Sequence, residues 1–128
     1  MSNPIPPLTV NPLALSLEHH LLRVLNLSSP TTRAEAIRKV QQRYPAMTRL
    51  GTPERPTPAA AHAWQALISA GWCRYVQQGA RHGHVLTGLA EGRLQQLWRQ
   101  QVESPYIESL RATHGDEVAR RVAEELED

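Results

Sequence analysis

Apolar residues recur at helical spacing through the first part of the chain, and this pattern predicts two successive helices. The first covers residues 13–27, and its buried face is expected to be a leucine stripe formed by Leu15, Leu17, Leu21, Leu22 and Leu25. The second covers residues 33–44, with Thr31 or Thr32 as its cap and Glu35 placed to answer that cap. The side chains expected to face inward from this second helix are Ala36, Ile37, Val40 and Tyr44.

A third helix is predicted from residue 58 to residue 70. Thr57 supplies a hydroxyl cap, and Pro58 occupies the first helical position, where a missing N–H does no harm. Gly71 ends the helix because glycine adopts the left-handed conformation most easily. The core side of this helix is expected to carry Ala60, Trp64, Leu67 and Ile68. The preceding loop, residues 46–56, is long for a helix–helix connection, and its length allows a turn of helix.

A hairpin and a further helix are predicted after the third helix. Residues 72–76 form an aromatic and β-branched run typical of a strand, and residues 84–87 supply its partner. Residues 77–83 contain two glycines and predict a flexible turn with a basic tip. Helical spacing then resumes over residues 88–99, so the order is helix, hairpin, helix.

The two ends of the chain differ from this central part. Residues 1–12 carry four prolines and predict an extended segment, because proline blocks regular structure. Ser104-Pro105 predicts the start of a helix over residues 106–113, which Gly115 interrupts. An apolar stripe in this last region could pack on the body or pair with a second subunit, and we expect a homodimer formed through Ile107, Leu110, Val118, Val122 and Leu126.

The predicted fold class is therefore mainly α with a small β-hairpin. Residues 1–12 form an extended segment, residues 13–100 one domain, and residues 101–128 a helical extension. A length of 128 residues suits a single domain with one modest core. The single cysteine cannot form an internal disulfide, and no run approaches the length of a membrane span. We expect a cytoplasmic protein with no membrane partner.

The charges are distributed unevenly although the net charge is only +2. Residues 1–99 hold eleven Arg or Lys against four Glu, whereas residues 100–128 hold three Arg against eight acidic residues. A basic body suggests an anionic partner, although arginines can also simply solvate a surface. The acidic terminal helix could alternatively cover the basic surface of its own chain as a mimic of DNA.

The segment LISAGWCRYV…GHVLTGLAEGRLQQL resembles winged helix-turn-helix regulators of the PadR and MarR kind. Over residues 15–98 the chain is also similar to the N-terminal domain of Mrr-type restriction endonucleases. Both resemblances imply a DNA-binding protein, most simply a transcriptional regulator, whose third helix enters the major groove while its wing contacts the backbone or minor groove. The chain departs from the family in two ways. Its Leu86-Thr87 lies two residues farther from the next matching glycine, and its third helix has no Arg or Lys.

The resemblance places the DNA-binding residues of the third helix at Thr57, Ala59, His62, Gln65 and Ser69. The wing and the preceding loop would contribute the cationic or polar residues Arg49, Arg55, Arg74, Arg81 and His82. Among the third-helix residues only Gln65 can read a base with two hydrogen bonds. Phosphate contacts from the arginines would therefore dominate, giving salt-sensitive binding to double-stranded DNA with limited sequence preference.

The sequence also suits functions other than DNA binding. The uncharged third helix also suits a protein-interaction module, and the Mrr resemblance suits a stand-alone DNA-targeting domain. Cys73, His82 and His84 could converge as a partial zinc site, but a wing with incidental histidines is the simpler interpretation. Of the adjacent His19 and His20, one is expected to be semi-buried and the other solvated. Cys73 is expected to face the core. No catalytic constellation is visible, so we expect no enzyme activity, no metal and no cofactor.

Overall fold

The computed structural model describes residues 4–127 and confirms a mainly helical protein with one small antiparallel hairpin. A short 3₁₀ turn precedes the first helix, and a π-helical segment joins the fourth helix to the fifth. The elements are the 3₁₀ turn Pro12–Ala14, α1 Leu17–Arg23, α2 Arg33–Arg43, α3 Pro58–Ser69, β1 Cys73–Gln78, β2 Arg81–Leu86, α4 Ala90–Trp98, the π segment Arg99–Glu103, α5 Ser104–His114 and α6 Asp116–Glu127.

The first helix is shorter than the predicted range of residues 13–27. Leu15 is extended, and Ser16 caps α1 by accepting a hydrogen bond from the His19 N–H at 3.2 Å. This cap sets a later start, because a serine at this position satisfies a free N–H of the first turn. The predicted buried stripe is confirmed for Leu15, Leu21, Leu22 and Leu25, whereas Leu17 is half-buried against the core.

The second and third helices begin at local signals that the sequence carries. Thr32, rather than Thr31, caps α2: its hydroxyl accepts from the Glu35 N–H at 3.2 Å and donates to the Glu35 carboxylate at 3.1 Å. Thr57 caps α3 in the same way, and Gly71 follows its end with a φ of +80°. The loop between them contains no turn of helix. It is folded by turns and by a one-residue bridge between Gly51 and Pro56.

The hairpin is longer, and its turn shorter, than predicted. Strand pairing runs from Cys73 opposite Leu86 to Gln78 opposite Arg81, which leaves a two-residue turn. Gly79, at the first position of that turn, has a φ of +61°, the conformation with which a two-residue turn matches strand twist. The residues expected in a flexible turn are therefore largely paired strand residues. Thr31 adds a one-residue third strand through two backbone hydrogen bonds with His84, at 3.0 and 2.8 Å.

The chain stays helical from α4 to the end of α5, so no loop separates residue 100 from residue 101. The helix predicted to start at Ser104-Pro105 is confirmed as α5, and the π segment before it accommodates the proline. There the Ser104 N–H donates to the Arg99 carbonyl, five residues back, just before the proline, which has no N–H to donate. Gly115, with a φ of +90°, ends α5 as expected, and α6 packs against α5.

The main core lies between α1, α2, α3, the base of the hairpin and α4. Its buried side chains include Leu21, Leu22, Ile37, Val40, Leu50, Trp64, Leu67, Cys73 and Leu97. A two-pronged ion pair between Arg93 and Glu18, with its shortest contact at 2.8 Å, joins α4 to α1. Within the described residues, no helix is long and apolar enough to cross a bilayer.

Candidate nucleic-acid interface

Helix α3 presents one exposed face, which we call the α3 face. It consists of four of the five residues predicted in the third helix, namely Ala59, His62, Gln65 and Ser69. These positions share one side because residues three or four apart lie above one another on a helix. The opposite side is anchored in the core by Ala60, Trp64 and Leu67. The α3 face is therefore accessible on a helix whose orientation is fixed.

Thr57 and Arg49, both predicted to contact DNA, form hydrogen bonds within the chain near the start of α3. The Thr57 hydroxyl accepts from the Ala60 N–H at 3.2 Å and donates to the Arg49 carbonyl at 2.7 Å. The Arg49 guanidinium donates to the Leu15 carbonyl at 3.1 Å. Arg49 thus ties the loop to the N-terminal segment, while its charge remains at the exposed surface.

The hairpin has an inner side, facing α3, that consists of Tyr75, His82 and His84. The His84 ring lies edge-on to Trp64 of α3, with 5.3 Å between centroids. Tyr75 contacts both histidines, at 5.7 Å from His84 and 6.0 Å from His82. The Tyr75 side chain is nevertheless 57% exposed, so it extends the accessible surface beside the α3 face.

Tyr75 was missed by the prediction from sequence. Tyr75 lies two residues after Cys73 on the strand. Because strand side chains alternate between two sides, both side chains lie on the same side of the hairpin. That alternation was the available signal.

Cys73 is a core residue, as expected, and not a reactive thiol, because burial raises the pKa of its thiol to about 11.

The structure separates the two hairpin arginines from His82. Arg74 and Arg81 lie on the side opposite Tyr75 and His82, here called the outer side, because successive strand residues point to alternate sides and directly paired residues point to the same side. Arg81 is exposed, and its guanidinium lies 3.9 Å from the carboxylate of Glu35 on α2. Such an exposed pair contributes little stability, so Arg81 is available to another anion.

Further exposed cations lie in the loop before α3 and on α2. Arg55 is exposed in the loop before α3, and the outward side of α2 carries the exposed cations Arg33, Arg38 and Lys39. The acidic helix α6 does not cover the α3 face, since all four residues of the α3 face are exposed. Ion pairs of α6 carboxylates instead run to Arg111 and Arg121, within the C-terminal pair of helices.

The zinc site considered for Cys73, His82 and His84 has no closed geometry. Cys73 is buried at the base of the hairpin, and the ring of Tyr75 contacts both histidines. Across residues 4–127, no group of three or more His, Cys, Asp or Glu side chains is placed to hold a metal ion.

Both histidines of α1 are buried, which corrects the expectation that one would be solvated. His19 and His20 have relative exposures of 1% and 2%. The His19 Nδ1 lies 3.0 Å from the Gln101 side-chain oxygen, and the His20 Nε2 lies 2.8 Å from the Pro12 carbonyl oxygen. Burial lowers the pKa of each imidazole below its ordinary value.

Leu110 cannot belong to a dimer interface, because it is 1% exposed within a single chain. It packs into the pair formed by α5 and α6, where Ala119 is also buried. The other four residues proposed for dimerisation are half-buried: Ile107, Val118, Val122 and Leu126. Dimer formation through these four stays a prediction.

Comparison of the chain with protein-family models, with curated proteins and with solved structures finds no match. The winged-helix resemblance therefore rests on the order and spacing of the residues themselves.

Proposed function

We propose that the protein binds double-stranded DNA through the α3 face and the adjoining hairpin, and that it acts as a transcriptional regulator. The observation that carries this proposal is the placement of an exposed, polar helix face beside a protruding hairpin. The contact of Trp64 with His84 fixes the two relative to each other. A helix of this kind fits the major groove, which is about 12 Å wide.

Base contacts would come from the α3 face. Gln65 can form two hydrogen bonds with adenine, whereas His62 and Ser69 can form single ones. Ala59 offers only a methyl group, which suits contact with a thymine methyl. With one bidentate residue in the set, direct reading of sequence is limited, and DNA shape would contribute much of any preference.

Phosphate contacts would come from the surrounding cations. Arg55 precedes α3, and Arg74 and Arg81 lie on the outer side of the hairpin. The positive end of the α3 helix dipole adds a partial positive charge that favours a phosphate. The excess of eleven cations over four acids in residues 1–99 supports this assignment.

Introducing a negative charge tests the α3 face directly. Changing Gln65→Glu or Ser69→Glu places a carboxylate where a phosphate or base edge is proposed to lie. We expect each change to weaken duplex binding at least tenfold, measured by fluorescence anisotropy at low salt. Ala112→Glu, at an exposed position of α5, adds the same charge elsewhere and should change affinity less than twofold.

Equal losses for the α3 variants and for Ala112→Glu would contradict the proposed interface, since only net charge would then matter. Thermal unfolding of each variant, followed by circular dichroism, separates lost contact from lost fold. All three positions are exposed, so little change in stability is expected.

The absence of charge on the α3 face favours a second candidate, a protein-interaction surface. Ala59 and the exposed ring of Tyr75 offer apolar contact area of the kind that protein interfaces use. Wild-type protein that fails to bind any duplex at low salt would refute DNA binding and leave this candidate. A stand-alone DNA-targeting domain would use the same surface as a regulator.

A further inference from the structure

A cavity of about 520 Å³ opens on the side of the molecule formed by α1, α4, the π segment and the end of α6. Its size falls within the range of small-molecule sites, roughly 300–1,000 Å³. No described residue of α3 or of the hairpin lines it, so it is separate from the proposed DNA interface.

Five of the residues that line the cavity are apolar and six are polar, and the charged residues among them are mostly cationic. The apolar side chains are Leu22, Leu25, Leu94, Trp98 and Leu126. The charged side chains are Arg23, Arg43, Arg99 and Glu103, a balance of three cations to one carboxylate. The fold brings these arginines together from three separate parts of the chain.

Arg23 lines the cavity beside Trp98. Its Nη1 is inaccessible to solvent and has no hydrogen-bond partner. The guanidinium lies over the Trp98 ring, 5.7 Å from the centroid, which holds it against the apolar wall. The Arg23 side chain nevertheless lines the cavity together with Arg43 and Arg99, so a carboxylate bound there lies close to guanidinium charge.

We propose that this cavity binds a small apolar molecule carrying one carboxylate. The carboxylate lies against Arg23 and Arg99, because a guanidinium can donate two parallel hydrogen bonds to its oxygens. The apolar part lies against the four leucines and Trp98. A neutral molecule of the same shape, such as an alcohol, forms only a neutral–ionic hydrogen bond with a guanidinium and binds more weakly than a carboxylate, which adds a second charge and a second acceptor oxygen. The proposal does not depend on DNA binding.

Isothermal titration calorimetry of the full chain with octanoate tests the site, with 1-octanol as the neutral match. We expect octanoate to bind one molecule per chain and 1-octanol to bind at least tenfold more weakly. Arg23→Gln should weaken octanoate binding at least tenfold. Arg120→Gln, which removes the same charge from an exposed position of α6, should change it less than twofold.

Arg99→Gln is a second variant, chosen because Arg99 is exposed and its substitution should leave the fold intact. It should also weaken octanoate binding without weakening that of 1-octanol. Absence of octanoate binding, equal binding of 1-octanol, or octanoate binding unchanged in both Arg23→Gln and Arg99→Gln would each overturn the proposal.

Discussion

His19 and His20 show, at the scale of single residues, how a local rule fails when structure from elsewhere folds over a helix. Adjacent helical residues diverge by about 100°, so one buried and one exposed histidine is the natural expectation. The two side chains do diverge, but each is buried by a different part of the chain. Gln101 of the π segment closes over His19, whereas Pro12 and Tyr44 enclose His20. Neither contact can be derived from α1 alone.

The lowered pKa values of these histidines predict a loss of stability in mild acid. Below the ordinary pKa of 6.5, the unfolded chain binds protons that the folded chain does not yet accept, so unfolding is favoured. Burial also lowers the pKa of His84. The urea midpoint should therefore be lower at pH 5.5 than at pH 7.5. Each unit of lowered pKa contributes at most about 1.4 kcal/mol per histidine.

His20→Gln is expected to reduce this pH dependence, whereas the exposed Gln65→Ala, which changes no titratable group, should leave it unchanged. Urea unfolding of the three proteins at both pH values makes the comparison. Identical midpoints at pH 5.5 and pH 7.5 in the wild type would contradict the account of buried, neutral histidines.

At the scale of elements, the sequence predicted what is encoded locally. The start of α2 follows from the Thr32–Glu35 capping box, and the start of α3 follows from Thr57-Pro58. The extent of the hairpin was not predictable from propensity, because Gln77, Gln78 and Arg81 are not strong strand formers. Backbone pairing and the turn at Gly79 extend the two strands beyond their predicted ends.

Gly83 is the position where hairpin geometry makes the strongest demand on residue type. A Cβ there would lie 2.6 Å from the backbone of Thr31, and the φ is +153°. Gly83→Ala should therefore destabilise the protein by about 1–3 kcal/mol, because the bridge between Thr31 and His84 must shift.

Gly92→Ala is the matched control for Gly83→Ala. Gly92 lies within α4, and nothing within 4 Å would obstruct a Cβ there. Alanine should raise the free energy of unfolding by roughly 0.5–1 kcal/mol through higher helix propensity. Urea unfolding of both variants tests the pair, and a Gly83→Ala protein as stable as wild type would contradict the described packing.

At the scale of the whole molecule, the sequence predicted the α3 face and the charge asymmetry but not how the charges are grouped. The winged-helix resemblance placed His62 and Gln65 on the exposed side of the third helix. It could not show that Arg74 and Arg81 lie on the opposite side of the hairpin from His82, which depends on strand register. Nor could it assemble Arg23 and Arg99 in one cavity, because they are brought together by tertiary packing.

Duplex binding as a function of salt tests the central claim, that this molecule binds DNA through a cationic surface around α3, most directly. If roughly six phosphates are contacted, affinity should fall about a thousandfold between 50 and 200 mM salt. Replacing both Arg74 and Arg81 with Ala should weaken binding to any sequence and reduce the log–log slope by about two. Replacing the exposed Arg120 with Ala should leave that slope unchanged. No duplex binding at 50 mM salt, or binding that does not vary with salt, would contradict the claim.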